Sequence, residues 1–466
     1  MVFSSLLFLT IFLPVTVGAY YLLPNKGRNL LLLAVSLVFY AWGEPAHSLI
    51  MLVTTLYIWL LALLMRRAQE KGKKLLAKGL LVLALVFSLG TLAFFKYTGF
   101  LVENLPFLKN TALAALKPAL PIGISFYTFQ ALSYVIDVYR GDVKAQKNWI
   151  NFSMYISLFP QLVAGPIVRY ADVEEQLTDR PFRKEVMTSG LERFLLGLGK
   201  KVLLANQIGA VWESLSGGTS VLGAWTGAIA FALQIYFDFS AYSDMAIGLG
   251  RMFGFEFTEN FRYPYQSASV TEFWRRWHIT LGTWFREYVY IPLGGNRKGK
   301  ARQMFNLFVV WLLTDLWHGA AWQFVLWGLY YFLFLSLEKI VLRPVLEKLP
   351  RFISHVYTLL VVLLGWVMFA SADIAASGRL YRAMLGIGVP LADSNALFQL
   401  AGAAILLAVC FVGATELPKK AVLRLEQRLP SKVFSGVSYA VLLVMLATCL
   451  AFLVADSYNP FLYFRF

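Results

Sequence analysis

The chain reads as an all-α protein that crosses a membrane many times, and three observations carry that reading. Of its 466 residues, 59% are hydrophobic, where a soluble domain holds about 45–50% apolar residues. The apolar residues gather in runs of roughly 17–25, the length a helix needs to cross a hydrocarbon core. Charged residues make up only 15% of the chain and cluster between those runs. A single membrane domain over residues 1–466 follows, in place of the two or three soluble domains that length alone would suggest.

Taken in order, the expected spans are 3–23, 29–45, 49–65, 76–97, 119–139, 150–168, 189–212, 224–250, 302–317, 319–341, 354–371, 396–414 and 434–456. Phe3–Leu23 lacks a basic n-region and many spans follow it, so it reads as the first span rather than a signal peptide. The stretch 119–168 contains Pro121, Pro160, Pro166, Gly123 and Gly165. These residues interrupt helices, and a broken helix at membrane depth must face protein or a cavity. The stretch 258–296 holds Arg275, Arg276, His278, Arg286 and Glu287 among Trp and Tyr. It is too polar to face lipid and predicts a re-entrant or interfacial element.

Charge supplies sidedness. The chain has 42 Lys and Arg against 26 Asp and Glu, a formal net charge of +16. Such an excess could suit nucleic acid, but here it sits in short loops beside apolar spans, which is the positive-inside pattern and argues against a nucleic-acid partner. The loops Arg66–Lys78, Asn296–Arg302, Glu338–Arg351 and Pro418–Lys432 are expected in the cytoplasm. Counting spans outward from them places the N-terminus and the tail Phe461–Phe466 outside. The two cysteines, Cys410 and Cys449, lie in apolar runs and read as small buried hydrophobes rather than a disulfide. No metal-ligand spacing is present, and the breaks do not recur in two halves as an inverted-repeat transporter would have them.

Four histidines are available for chemistry. His47 and His355 fall near span ends and are expected at the interface. His278 follows Glu272-Phe-Trp-Arg275-Arg276-Trp, and His318 closes Trp311-Leu-Leu-Thr-Asp315-Leu-Trp-His318. A polar side chain at membrane depth is costly and tends to line a functional cavity, although a histidine hydrogen-bonded for packing is the alternative. Asp315 stands one helical turn before His318 and could fix its tautomer and raise its basicity, or serve only to cap or neutralise. Gly319 and Ala320 leave room for a substrate or for close helix packing. Asp238 and Asp244 lie in one apolar span, six residues apart. They are expected to position a neighbouring element or, more simply, to pair with Arg275, Arg276 or Arg286. No P-loop, serine elbow or zincin motif occurs, so a base-assisted direct transfer is the simplest chemistry.

The blocks Thr271-Glu-Phe-Trp-Arg-Arg-Trp-His278, Tyr290-Ile-Pro-Leu-Gly-Gly-Asn-Arg297 and Leu316-Trp-His318-Gly-Ala resemble the membrane-bound O-acyltransferase family. The likeness is strongest to its bacterial branch of alginate O-acetylation membrane proteins, and it extends over Met1–Ser5, Asn29–Trp42, Pro121–Gln130, Phe159–Pro166, Asp238–Asp244 and the tail Asn459–Phe466. The resemblance implies a ring of about 11–13 transmembrane helices, with re-entrant helices, around a central tunnel. It implies a catalytic base at His318 and a second functional histidine at His278. It also implies acetyl-CoA as a cytoplasmic donor with no bound cofactor, and a bacterial inner-membrane location. An extracytoplasmic protein partner would accept the acetyl group and modify a polysaccharide. One departure is Glu287, where the family's pattern has Asp after Arg.

Within that picture His318 would deprotonate the acceptor hydroxyl. Asn306, a Trp N–H or His278 could stabilise the oxyanion. Arg297, Lys298 and Lys300 could meet the CoA phosphates or could only set topology. Two other readings stay open: a transporter or flippase whose polar residues line a path, and a non-catalytic scaffold. Within the enzyme class, peptidoglycan, cellulose or teichoic acid could be the polymer served.

Overall fold

The computed structural model describes residues 1–116, 118–455 and 461–462, and every regular element among them is helical. The tail Asn459–Phe466 therefore lies, apart from Phe461 and Leu462, outside the described residues. Seven of the described helices are long and apolar enough to cross a membrane, or eight if the bent pair Ser394–Gly402 and Ala404–Gly413 is one span. The chain forms two compact units. The first holds Met1–Phe194 and Ser243–Thr258, and the second holds Leu195–Tyr242 and Glu259–Phe466.

In the first unit the helices Pro45–Glu70 and Lys74–Asn104 form an antiparallel pair. Pro45 opens the first of them, where its missing N–H costs nothing. Gly72 turns the chain at φ 68°, a conformation other residues adopt only with strain. Outward positions such as Leu60, Leu64, Val82, Val86 and Leu89 are exposed, as lipid-facing residues should be.

The stretch 119–168 is broken as the prolines and glycines predict. Ile124–Arg140 starts at Gly123, whose φ is 74° and where a Cβ would overlap the carbonyl of Leu162. Before it, the Ile122 N–H donates to Glu44 (3.0 Å) and the Tyr40 hydroxyl donates to the Ile122 carbonyl (3.0 Å). Trp149–Ser157 is capped by Asn148, and the Phe159 N–H donates to the Ser36 hydroxyl at 3.1 Å. Residues 152–168 are buried, so this irregular backbone is enclosed by protein. The expected span 150–168 is corrected accordingly. The helix stops at Ser157, resumes only for Phe159–Leu162, and is too short to cross. The expected span 3–23 is a short apolar helix, Phe8–Leu22.

The second unit is built on aromatic burial. Trp277, Trp311, Trp327, Trp366 and Tyr331 share one core cluster, with Trp274 packed against it. Each such ring removes some 150–250 Å² from solvent or lipid. The helix Lys300–His318, here the histidine helix, pairs across Gly319–Ala321 with Trp322–Leu346. A Cβ at Gly328 would overlap the Asp315 carboxylate, so a glycine is required where the two helices approach. The polar stretch 258–296 forms two short helices, Val270–Arg276 and Ile279–Phe285, joined through Trp277 and His278. At seven residues each, they are too short to cross a ~30 Å core. This matches the expectation of a re-entrant or interfacial element.

Candidate active site

Both histidines singled out in the sequence belong to the second unit. His278 is the hinge between the two short helices, and its φ of 46° lies in the left-handed region. That conformation costs a non-glycine residue about 1–2 kcal/mol, so something must hold it. Asn260 does. Its side-chain oxygen accepts from the Thr280 N–H (3.2 Å) and the Thr280 hydroxyl (2.9 Å), and lies 3.2 Å from His278 Nδ1. Its carbonyl accepts from the Ile279 N–H at 3.0 Å. The contact at Nδ1 is donation from the ring, since a side-chain carbonyl oxygen can only accept. That leaves Nε2 as the lone-pair nitrogen. Phe239 stands edge-on to the imidazole at 4.8 Å.

His318 ends its helix and is 7% exposed. Trp327 and Phe369 meet its ring edge-on, at 5.4 and 5.7 Å between centroids. These apolar walls lower the local dielectric, which strengthens any charge interaction made inside them. Trp317 joins the two sites. Its ring centroid is 5.9 Å from that of His278 and 5.0 Å from that of His318. The sum of those separations, just under 11 Å, is an upper limit on the distance between the imidazoles.

The supporting residues fall into place unevenly. Asp315 is fully buried, but neither carboxylate oxygen makes a hydrogen bond among the described residues. The expected Asp315–His318 pair is therefore corrected. Although the spacing puts both on one face, the Asp315 carboxylate is turned into the notch at Gly328. Gly319 serves packing rather than substrate room, because a Cβ there would overlap the Phe324 ring.

The expected ion pairing of Asp238 and Asp244 with Arg275, Arg276 or Arg286 is corrected as well. Asp238 pairs with buried Lys201 at 2.6 Å and accepts from the Leu462 N–H at 2.7 Å. Asp244, in the first unit, pairs with Arg193 at 2.8 Å. Both use lysine or arginine residues from Lys184–Leu215, the helix just before their own in the chain. Arg276 instead pairs with Glu272 one turn back (2.7 Å), Arg286 pairs with its neighbour Glu287 (2.6 Å), and Arg275 is exposed.

Asn306 is buried and donates to the Gly295 carbonyl at 2.9 Å. It pins the loop that follows Tyr290 through one of the two N–H donors of its amide. Arg297 and Lys298 are exposed on that same loop, and Lys300 is exposed at the start of the histidine helix. Of the other histidines, His47 contacts Glu44 at 2.7 Å, and His355 Nδ1 donates to the Ser267 carbonyl at 3.0 Å. Among the described residues no group of three or more His, Cys, Asp or Glu gathers as a metal site would require.

Sequence reasoning missed four contributors. Asn260 was passed over because it lies in a polar loop with no motif of its own. Glu338 is buried, and its carboxylate receives the Val270 N–H (2.6 Å), the Thr271 N–H (2.9 Å) and the Thr271 hydroxyl (2.6 Å). It thus caps the start of the helix that leads to His278. Trp317 and Lys201 complete the set; a lysine in a run as apolar as 195–205 was a signal available in the sequence.

Against this geometry, comparison with known proteins is specific. A model of the membrane-bound O-acyltransferase family matches residues 48–377, which include both histidines. A probable alginate O-acetylase of Pseudomonas putida is 38% identical over 100% of both chains. The protein of the same name in Pseudomonas aeruginosa is 42% identical over 83% of this chain and 75% of its own length. A peptidoglycan O-acetyltransferase of Helicobacter pylori is 31% identical over 84% and 81%.

Proposed function

The chain belongs to the membrane-bound O-acyltransferase family, and from that premise we propose that it passes acetyl groups from cytoplasmic acetyl-CoA to an extracytoplasmic hydroxyl acceptor for O-acetylation of an alginate-like exopolysaccharide. The single observation that carries the reading is His318, buried among aromatic rings within 11 Å of a second histidine. The relatives named for alginate O-acetylation, alike over the whole chain, support the polymer.

In the proposed reaction the acceptor oxygen attacks the thioester carbonyl carbon while His318 takes the hydroxyl proton. The tetrahedral intermediate collapses with loss of the thiolate, and the imidazolium returns the proton to sulfur, so an acetyl ester and free CoA result. His278 presents Nε2 from the donor half and orients the thioester or, when protonated, stabilises the oxyanion. The Trp327 and Phe369 walls keep bulk water from competing with the acceptor. The acceptor is a protein partner outside the membrane, which then modifies the polymer. The enzyme resides in the bacterial inner membrane with both termini outside, consistent with the basic loops Arg66–Lys78 and Pro418–Lys432 facing the cytoplasm.

The test is His318→Ala in cells with protein levels matched, reading polysaccharide O-acetylation; retained acetylation ends the proposal. Purified protein that consumes acetyl-CoA only with acceptor present supports an enzyme over a transporter. Assaying alginate and peptidoglycan side by side decides between the polymers named in the relatives.

A further inference from the structure

A cavity of about 990 Å³ opens in the second unit, with neither His278 nor His318 in its lining. It lies at the top of the ~300–1,000 Å³ range of ligand sites. Its lining divides sharply. One wall is the stripe Phe352, Val356, Leu359, Leu360 and Leu363 on the helix Arg351–Ala370, and Phe411 adds to it. Positions 352, 356, 359 and 363 recur at helical spacing, so the stripe is one continuous apolar face. From Phe352 to Leu363 it runs about 16 Å at 1.5 Å per residue. That is half of a ~30 Å hydrocarbon core, the depth of one leaflet.

The other end is cationic. Arg276, Arg351 and Lys420 line it, with Glu416 the one acidic group in the lining. Lys420 is already paired with Glu416 (2.9 Å) and Arg276 with Glu272 (2.7 Å). Arg351 makes no ion pair among the described residues, and it stands in the first turn of its helix, where the dipole also favours an anion. Lys420 belongs to Leu417–Arg428, a helix carrying Lys419, Lys420, Arg424 and Arg428 beside exposed Val422, Leu423 and Leu425. Such a helix lies in the interface plane, at the level of lipid headgroups. Two basic loops that the sequence assigns to one side of the membrane, Glu338–Arg351 and Pro418–Lys432, thus meet at one cavity.

We propose that this cavity binds one anionic glycerophospholipid. Its phosphate lies against Arg351 and Lys420, and an acyl chain lies along the stripe from Phe352 to Leu363. The chemistry favours lipid over the CoA donor. Along the face of Phe352, Val356, Leu359, Leu360 and Leu363 the amides of a pantetheine arm would meet aliphatic and aromatic carbon, the polar lining side chains Tyr265, Gln266, His355 and Thr415 apart, and burying them unpaired is costly. An acyl chain needs none. The site also touches the catalytic region, because Arg276 lines the cavity and precedes the His278 hinge by two residues. A seated phosphate draws on Arg276 and steadies the end of the helix that carries the hinge.

The experiment is native mass spectrometry of the full-length protein, purified from nanodiscs of phosphatidylcholine with one-fifth phosphatidylglycerol. Wild type is expected to retain one phosphatidylglycerol. The double variant Arg351→Glu, Lys420→Glu should retain about tenfold less or lower, as loss of charge-assisted phosphate contacts requires. Leu360→Trp, which adds bulk to the apolar wall and leaves every charge in place, should also lose the lipid. Equal retention by wild type and both variants overturns the proposal, and so does displacement of the lipid by free CoA. Because lipid retention is read without acyl transfer, its failure is separate from failure of the proposed function.

Discussion

The two histidines are held by opposite means. His278 sits in a left-handed kink between two short helices, locked by hydrogen bonds through Asn260. His318 ends a helix in its ordinary conformation and is fenced by Trp327 and Phe369. A hydrogen-bonded kink fixes direction and tautomer, because a residue forced out of its preferred backbone region persists only when its surroundings over-determine it. Aromatic walls fix the dielectric around the His318 ring. The difference suits a positioning group at His278 and a base at His318, with Trp317 against both.

The strongest way to break this division is to remove the imidazole proposed as the base. His318→Ala should lower acetyl transfer about 10³-fold, within the ~10²–10⁴ range of general acid–base catalysis. Turnover per folded protein, measured with radiolabelled acetyl-CoA, checks it, and His278→Ala should cost about 10²-fold or less in the same assay. Next in size is the lock. Asn260→Ala removes the acceptor shared by the Thr280 N–H, the Thr280 hydroxyl and the His278 ring, and should destabilise the protein by about 3 kcal/mol, read as a fall in the melting temperature in detergent.

The kink itself makes a finer test. At φ 46° a glycine is unstrained, so His278→Gly should be more stable than His278→Ala by about 1 kcal/mol. Equal melting temperatures would mean the backbone relaxes once the imidazole is gone. The smallest effect is expected at Asp315. An aspartate that orients a catalytic histidine costs about 10⁴-fold when changed to Asn. Turned toward Gly328, Asp315→Asn should cost less than about tenfold, and a larger loss would restore the carboxylate–imidazole pair in the working enzyme.

Much of this was legible before any fold was known. The apolar runs announced the helices, Pro121, Pro160 and Gly123 announced the break in the first unit, and the Arg–Trp–His clustering announced a stretch of helices too short to cross. Less legible was what each polar group meets. Helical spacing placed Asp315 and His318 on one face, but the face is shared with a neighbouring helix, and Gly328 offered the carboxylate a notch. For Asp238 and Asp244 the sequence offers the arginines of the motif, Arg275, Arg276 and Arg286. Their partners, Lys201 and Arg193, lie on Lys184–Leu215, and only helix packing selects among cations of equal charge.

By itself, then, the sequence determined that the chain is helical with several apolar membrane-spanning segments, and it singled out two imidazoles set among tryptophans. Those properties are local: a bilayer sorts about 20 residues at a time by hydrophobicity, and no partner is needed to read them. The tertiary structure decided that Trp317 lies against both imidazoles, that Asn260 locks a residue 18 positions away, and that the Leu462 N–H caps Asp238 from 224 positions away. Such contacts depend on which faces pack together. Packing is a property of the whole fold, and no window of sequence contains it.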